Sequence, residues 1–271
     1  MKSGLFLCIL LLFLTPFLFA HQELKDLTID STGLSKLDIE CGAGFLKIHT
    51  KKELSHIDVE AEISIKGISK DKASKYVKDE VILRLEKRGS TAYLVSKFKP
   101  LASLFSLRER SINLTVHIPS EIDLDVDDGS GSVWIENLQG KLKVHDGSGS
   151  MMIQNIGSDA RITDGSGNMQ IYEIAGNLEV DDGSGDLDIK GVRGNLDVDD
   201  GSGDFTAIDI QGYVDIDDGS GTIKIKAALG NVRVSDGSGS IIINGVEKDV
   251  IIKDDGSGSV DIKNVKGRVE K

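Results

Sequence analysis

The tetrapeptide Asp-Gly-Ser-Gly returns eight times, beginning at Asp128, Asp146, Asp164, Asp182, Asp200, Asp218, Asp236 and Asp255. The intervals are 18 residues until the last, which is 19. Self-similarity at a fixed short period is the signature of stacked repeats, in which each unit is too small to bury its own apolar face and finds a core only against its neighbours. Fixing 18 residues costs roughly 18–36 kcal/mol of backbone entropy. Five buried aliphatic side chains return at most about 8–15 kcal/mol. One unit therefore cannot fold alone.

Apolar residues keep their places between tetrapeptides: Leu187, Ile189, Val192, Leu196 and Val198 in one unit, and Phe205, Ala207, Ile210, Val214 and Ile216 in the next. Apolar-x-apolar alternation predicts two short half-buried strands per unit. Gly185-Asp186-Leu187-Asp188-Ile189 and Gly194-Asn195-Leu196-Asp197-Val198 match nine residues apart, which favours a twofold division of the coil over a hexapeptide one. Each strand lies one coil from its counterpart and so runs parallel to it. Successive coils spaced at ~4.8 Å make eight coils roughly 35–40 Å long. The expected fold is all-β, a single-stranded parallel β-solenoid with 18-residue coils and, by the bias of parallel crossovers, a right-handed wind. Pro119 is the last proline, as suits a ladder that uses every strand N–H.

Three segments are expected. Residues 1–20 have the layout of a secretory signal peptide, with Lys2 before an apolar run from Leu5 to Phe19 that ends at Ala20. That run is shorter than the ~20 residues a membrane span requires, so no transmembrane anchor is expected after its removal. Residues 21–120 read as a strand-rich capping region. Its "LDIECGAGFLKI" stretch from Leu37 matches the repeat, with Cys41-Gly42-Ala43-Gly44 in place of the tetrapeptide. Strand-like stretches near Ile57–Ile65, Val81–Glu86, Thr91–Lys97 and Ile112–Ile118 are expected to pair antiparallel over the first coil. Polar breaks separate them at "SKDKASKYVKDE" and "KPLASLFSLRER". Residues 121–271 are the solenoid, with no evident cap at its far end. The extra residue beside Lys253 and Asp254 reads as a bulge.

What the repeated turn does is the central functional question. The phosphate-binding patterns require a Lys-Ser/Thr pair or a helix after the glycines, and here a strand follows. Calcium held between turns, as in Gly- and Asp-rich β-rolls, is a live alternative. However, the aspartate here precedes the glycines, whereas that motif places it after them. The plainer reading is a turn in which aspartate accepts backbone N–H bonds and glycine supplies positive φ. Residues 121–271 carry 30 acidic and 14 basic residues. Such a surface repels nucleic acid and anionic lipid.

The sequence singles out no catalytic, cofactor-binding or metal-ligating residue. The histidines His21, His49, His56, His117 and His145 are scattered along the chain, and Cys41 fits a small turn residue. Trp134 and Tyr213 fall on outward positions and are candidate contact aromatics.

The join from Ile112 to Ser150, "INLTVHIPSEIDLDVDDGSGSVWIENLQGKLKVHDGSGS", resembles the bacterial β-strand-repeat envelope proteins of unknown function catalogued as "putative adhesins". The resemblance rests on the apolar-x-apolar-Pro lead-in and the recurring Ser-Gly-x-apolar turns. It implies a bacterial envelope protein, secreted or surface-exposed; together with the missing site constellation, the reading is a non-catalytic interaction or structural element, without a cofactor, that is secreted, periplasmic or at the cell surface. Its expected partner is an envelope protein or glycan. A calcium-stabilised β-roll and a scaffold that self-associates through its C-terminal coil are the alternatives.

Overall fold

The computed structural model describes residues 21–99 and 109–271; the signal-peptide reading and part of the "KPLASLFSLRER" stretch lie outside them. In chain order come β1 (His21–Asp30), β2 (Lys36–Ala43), β3 (Leu46–Lys51), β4 (His56–Ile65), α1 (Lys70–Glu80), β5 (Val81–Arg88), β6 (Thr91–Phe98), β7 (Arg110–Pro119), β8 (Asp123–Ser130) and β9 (Val133–Glu136). Two strands per coil follow to Val269–Glu270, and alternate strands form two sheets of 12. The first sheet runs β1-β4-β7-β3-β9 and on to Val260–Val265; the second runs β5-β6-β2-β8 and on to Val269–Glu270.

Within the repeat every pairing is parallel and shifted by one coil: Leu187 lies opposite Phe205, and Leu196 opposite Val214. The 18-residue period is therefore the register itself. In the final coil Ser235 pairs with Asp254, which leaves Lys253 as the extra residue. The inward residues of one coil, Leu187, Ile189, Val192, Leu196 and Val198, are all buried, as the alternation requires.

The amino-terminal part departs from the expected all-antiparallel cap. β2 and β3 form the first coil, as "LDIECGAGFLKI" implies, but β6 joins β2 and β7 joins β3 in parallel. Reversal comes one strand further out, where β5 runs antiparallel to β6, β4 to β7, and β1 to β4. The sheets thus extend before they turn back.

The stretch "SKDKASKYVKDE" contains an 11-residue helix. Only Ala73 and Val77, four residues apart, are buried on it, so its apolar stripe is a single pair and its polar face dominates the sequence. β1 also escapes a sequence reading. Its Leu24 is exposed, and every residue of the strand is at least partly so.

The tetrapeptide corner continues the hydrogen-bond ladder. Gly183 N–H donates to Asp164 O at 2.9 Å, and Gly185 N–H to Ser202 O at 2.9 Å. Gly185 has φ +142°, and a Cβ there would lie 1.8 Å from Gly167 O. Coils meet backbone on backbone at this corner, which explains why the fourth residue of the tetrapeptide is always glycine.

Candidate functional site

The first residue of each tetrapeptide is not an exposed turn residue. It ends the preceding strand with the same parity as the buried aliphatics, as in Leu196-x-Val198-x-Asp200, and so points inward. Asp128, Asp146, Asp164, Asp182, Asp200, Asp218 and Asp236 are each at most 2% exposed. They are in register from coil to coil. The eighth, Asp255, is exposed, because the inserted residue disrupts the ladder there. At the other end Cys41 stands opposite Asp128 and Ser96 opposite Cys41, so two neutral side chains close the column.

Each carboxyl from Asp146 to Asp236 accepts one backbone N–H through Oδ1, from the serine two residues on. Asp200 Oδ1 receives Ser202 N–H at 3.0 Å, and Asp236 Oδ1 receives Ser238 N–H at 2.9 Å. The other oxygen, Oδ2, is buried without a hydrogen-bond partner in all six. Burial, and then the neighbouring carboxylates, push Asp146, Asp182, Asp200 and Asp218 up to about 6. Burial also raises Asp128, Asp164 and Asp236. Two unit charges one strand spacing apart, ~4.8 Å, repel by roughly 3.5 kcal/mol at an effective dielectric of 20. A fully ionised column opposes stacking.

The tetrapeptide carboxyls sit inside the coil behind the glycines. Among the described residues no three His, Cys, Asp or Glu side chains are grouped to hold a metal ion. Outward neighbours such as Asp181, Asp199 and Asp217 form a separate exposed row.

Two of the five histidines are brought together. His49 and His117 are opposite each other on β3 and β7, with ring centroids 5.3 Å apart and planes at 22°. His49 Nδ1 lies 3.2 Å from Glu136 Oε1. Sequence separation conceals this cluster, because β7 reaches β3 only after the excursion through β4–β6. Cys41 is partly buried and unpaired, and burial followed by the charge of Asp128 pushes its thiol far up, away from nucleophilic chemistry.

The outward faces carry the aromatics where the alternation puts them. Trp134 is 41% exposed and Tyr213 46%. Trp134 lines a shallow groove of about 360 Å³ with Phe45, Lys47, Met152, Asn168 and Gln170. Lys47 Nζ lies 4.9 Å from the Phe45 ring centroid. Tyr213 borders a groove of about 520 Å³ on the other sheet, crossed by the Lys36–Asp125 pair at 3.1 Å and the Arg161–Glu179 pair at 2.9 Å. No described helix is long and apolar enough to cross a membrane.

Similar solved structures include three from bacteria. One, described as a "putative lipid binding protein" of Parabacteroides distasonis, is 14% identical, with 93% of this chain and 97% of that one covered, at a TM-score of 0.40. A "putative adhesin" of the same organism is 14% identical, covering 92% and 96%, at 0.37. A "putative cell adhesion protein" of Clostridium sporogenes is 10% identical, covering 92% and 98%, at 0.29. No curated protein matches the chain. The family Toastrack DUF4097 matches over residues 35–263, from the start of the first coil into the last. With most of its length matched, the chain belongs to the Toastrack DUF4097 family.

Proposed function

We propose that this protein is a rigid, non-catalytic interaction element of the bacterial envelope, extracytoplasmic and adhesin-like, whose outward sheet faces engage an envelope protein or glycan. The signal-peptide layout of residues 1–20 supports the location, and residues 21–120 and 121–271 serve as cap and display surface. One observation carries the reading. The solenoid presents outward side chains at fixed inter-strand spacing, and exposed aromatics stand in a groove on each sheet. Isolated exposed aromatics are common, but an aromatic bordered by polar side chains on a stiff surface suits a contact site. The test is retention of the protein on purified cell envelopes after cross-linking. Retention that Trp134→Ala or Tyr213→Ala reduces severalfold, at unchanged melting temperature, supports it. Equal retention of wild type and both variants, or none by wild type, overturns it.

A second reading rests on the last coil. Val260, Ile262 and Val265 are only partly buried where their counterparts in earlier coils are fully so, and Val269 is 47% exposed. Apolar side chains left partly open on this coil favour coil-to-coil self-association. Sedimentation showing only monomers over a wide concentration range removes this reading.

A further inference from the structure

We propose that the interior aspartate column is a proton-binding site: protons enter the row from Asp128 to Asp236 and tighten the stack, and losing them loosens it. Three features of the row point to the proton as its ligand. The side chains are at most 2% exposed, so water does not solvate them from outside. Each Oδ1 from Asp146 onward already holds a serine N–H, whereas the corresponding Oδ2 has no donor. And the row is continuous across consecutive coils, so each carboxyl has another in the next coil. Protonation of a carboxylate forms one O–H bond on Oδ2 and removes one negative charge. It turns an orphaned acceptor into a donor that can face the next carboxyl, and it cancels repulsion on both sides.

The charged groups around the row act in the same direction, with one exception. Asp127 bears on Asp128, Asp181 on Asp182, Asp186 and Asp199 on Asp200, Asp217 on Asp218, and Asp254 and Asp255 on Asp236. His145, the exception, lowers Asp164. Cys41, opposite Asp128, closes the amino-terminal end with a neutral side chain. Across the interior the facing side chains are aliphatic, among them Leu187, Ile189 and Val192. Carboxyls that titrate near 6 when folded and near ~3.9 when unfolded bind more protons in the folded state between those values. Their contribution to stability is thus complete below about pH 4 and lost as pH rises through about 6.

The experiment is a count of protons exchanged when the mature protein is unfolded by denaturant at about pH 5, midway in that window. It is paired with melting curves at about pH 5 and pH 8 for wild type and Asp200→Asn. Asparagine keeps the Oδ1 acceptor for Ser202 N–H and places an N–H donor where the acid would carry its proton. The expected result is release of more than one proton per wild-type chain and a lower melting temperature at the higher pH. Asp200→Asn should release fewer protons and lose less melting temperature between the two conditions. No release or net uptake by wild type overturns the proposal, as does an equal loss of melting temperature by Asp200→Asn at both pH values. Stoichiometric retention of a cation by the purified protein, displaced on unfolding, also overturns it. If Asp200→Asn does not fold, the wild-type proton count alone decides.

Discussion

Alanine placed at the second residue of the tetrapeptide reads the distance between coils directly. At Gly183 a Cβ would stand 2.5 Å from Gly165 O; at Gly129 its nearest contact would be 3.6 Å away; at Gly42, the matching position of the first coil, nothing lies within 4 Å. None of the three has positive φ, so the comparison isolates packing from backbone strain. To reach an ordinary contact of about 3.4 Å the coils at Gly183 must part by roughly 0.9 Å. That stretches the Gly183 N–H bond to Asp164 O from 2.9 Å beyond hydrogen-bonding range. One or two ladder bonds at about 1 kcal/mol each, with the packing loss that accompanies overpacking, make Gly183→Ala cost about 2–4 kcal/mol. Gly129→Ala should cost under about 1 kcal/mol. Gly42→Ala should be neutral or stabilising by up to about 1 kcal/mol, because alanine restricts the unfolded chain. Urea denaturation with linear extrapolation measures all three. If Gly183→Ala is as mild as Gly42→Ala, the coils do not stack backbone on backbone at this corner and the account of the tetrapeptide is wrong.

Three further outcomes are expected. Ala227 has φ +57° at a position where the coils before and after it include Gly191 at +78° and Gly245 at +81°; releasing that left-handed strain, Ala227→Gly should stabilise by about 0.5–1 kcal/mol in thermal or urea denaturation. With the tetrapeptide carboxyls inside the coil, adding calcium or chelator should leave the melting temperature of the purified protein unchanged. Cys41, its thiol pushed up by burial, should react with a thiol reagent at least tenfold more slowly in the folded protein than in denaturant, as followed by mass spectrometry.

The architecture was legible because one period sets several things at once. A spacing of 18 residues puts Leu187 opposite Phe205, and alternation sends Leu187 and Ile189 inward and Asp188 outward. The same parity rule, carried two residues past Val198, places Asp200 inside. Reading Asp-Gly-Ser-Gly as a turn, with its aspartate accepting backbone N–H bonds, left the burial of that aspartate unread. The cap was harder to read, because no repeat fixes the partners of β4 to β7. Strand positions followed from alternation there, but which strands pair parallel depends on chain paths that local pattern does not encode. The helix at Lys70–Glu80 was hidden because its buried stripe is the single pair Ala73 and Val77, and the His49–His117 contact because its strands come from distant segments.

The coils are similar but not interchangeable, and one of them shows how volume is shared inside the stack. The column Met151, Met169, Leu187, Phe205, Ile223, Ile241 widens at Phe205. The neighbouring inward column Ile153, Ile171, Ile189, Ala207, Ile225, Ile243 narrows at Ala207. Both residues are fully buried on one strand, so the large ring and the small methyl together replace two medium side chains. Phe205→Leu alone should leave a void and cost about 1–2 kcal/mol. Ala207→Ile alone should overpack the interior and cost about 1–3 kcal/mol. The double variant, which reproduces the Leu-x-Ile of the preceding coil, should lie within about 1 kcal/mol of wild type. The coupling measured by this cycle should then be at least about 1 kcal/mol in favour of the pair. Additive losses would show that the two positions do not share one space, and that the interior is organised by separate columns instead of coil by coil.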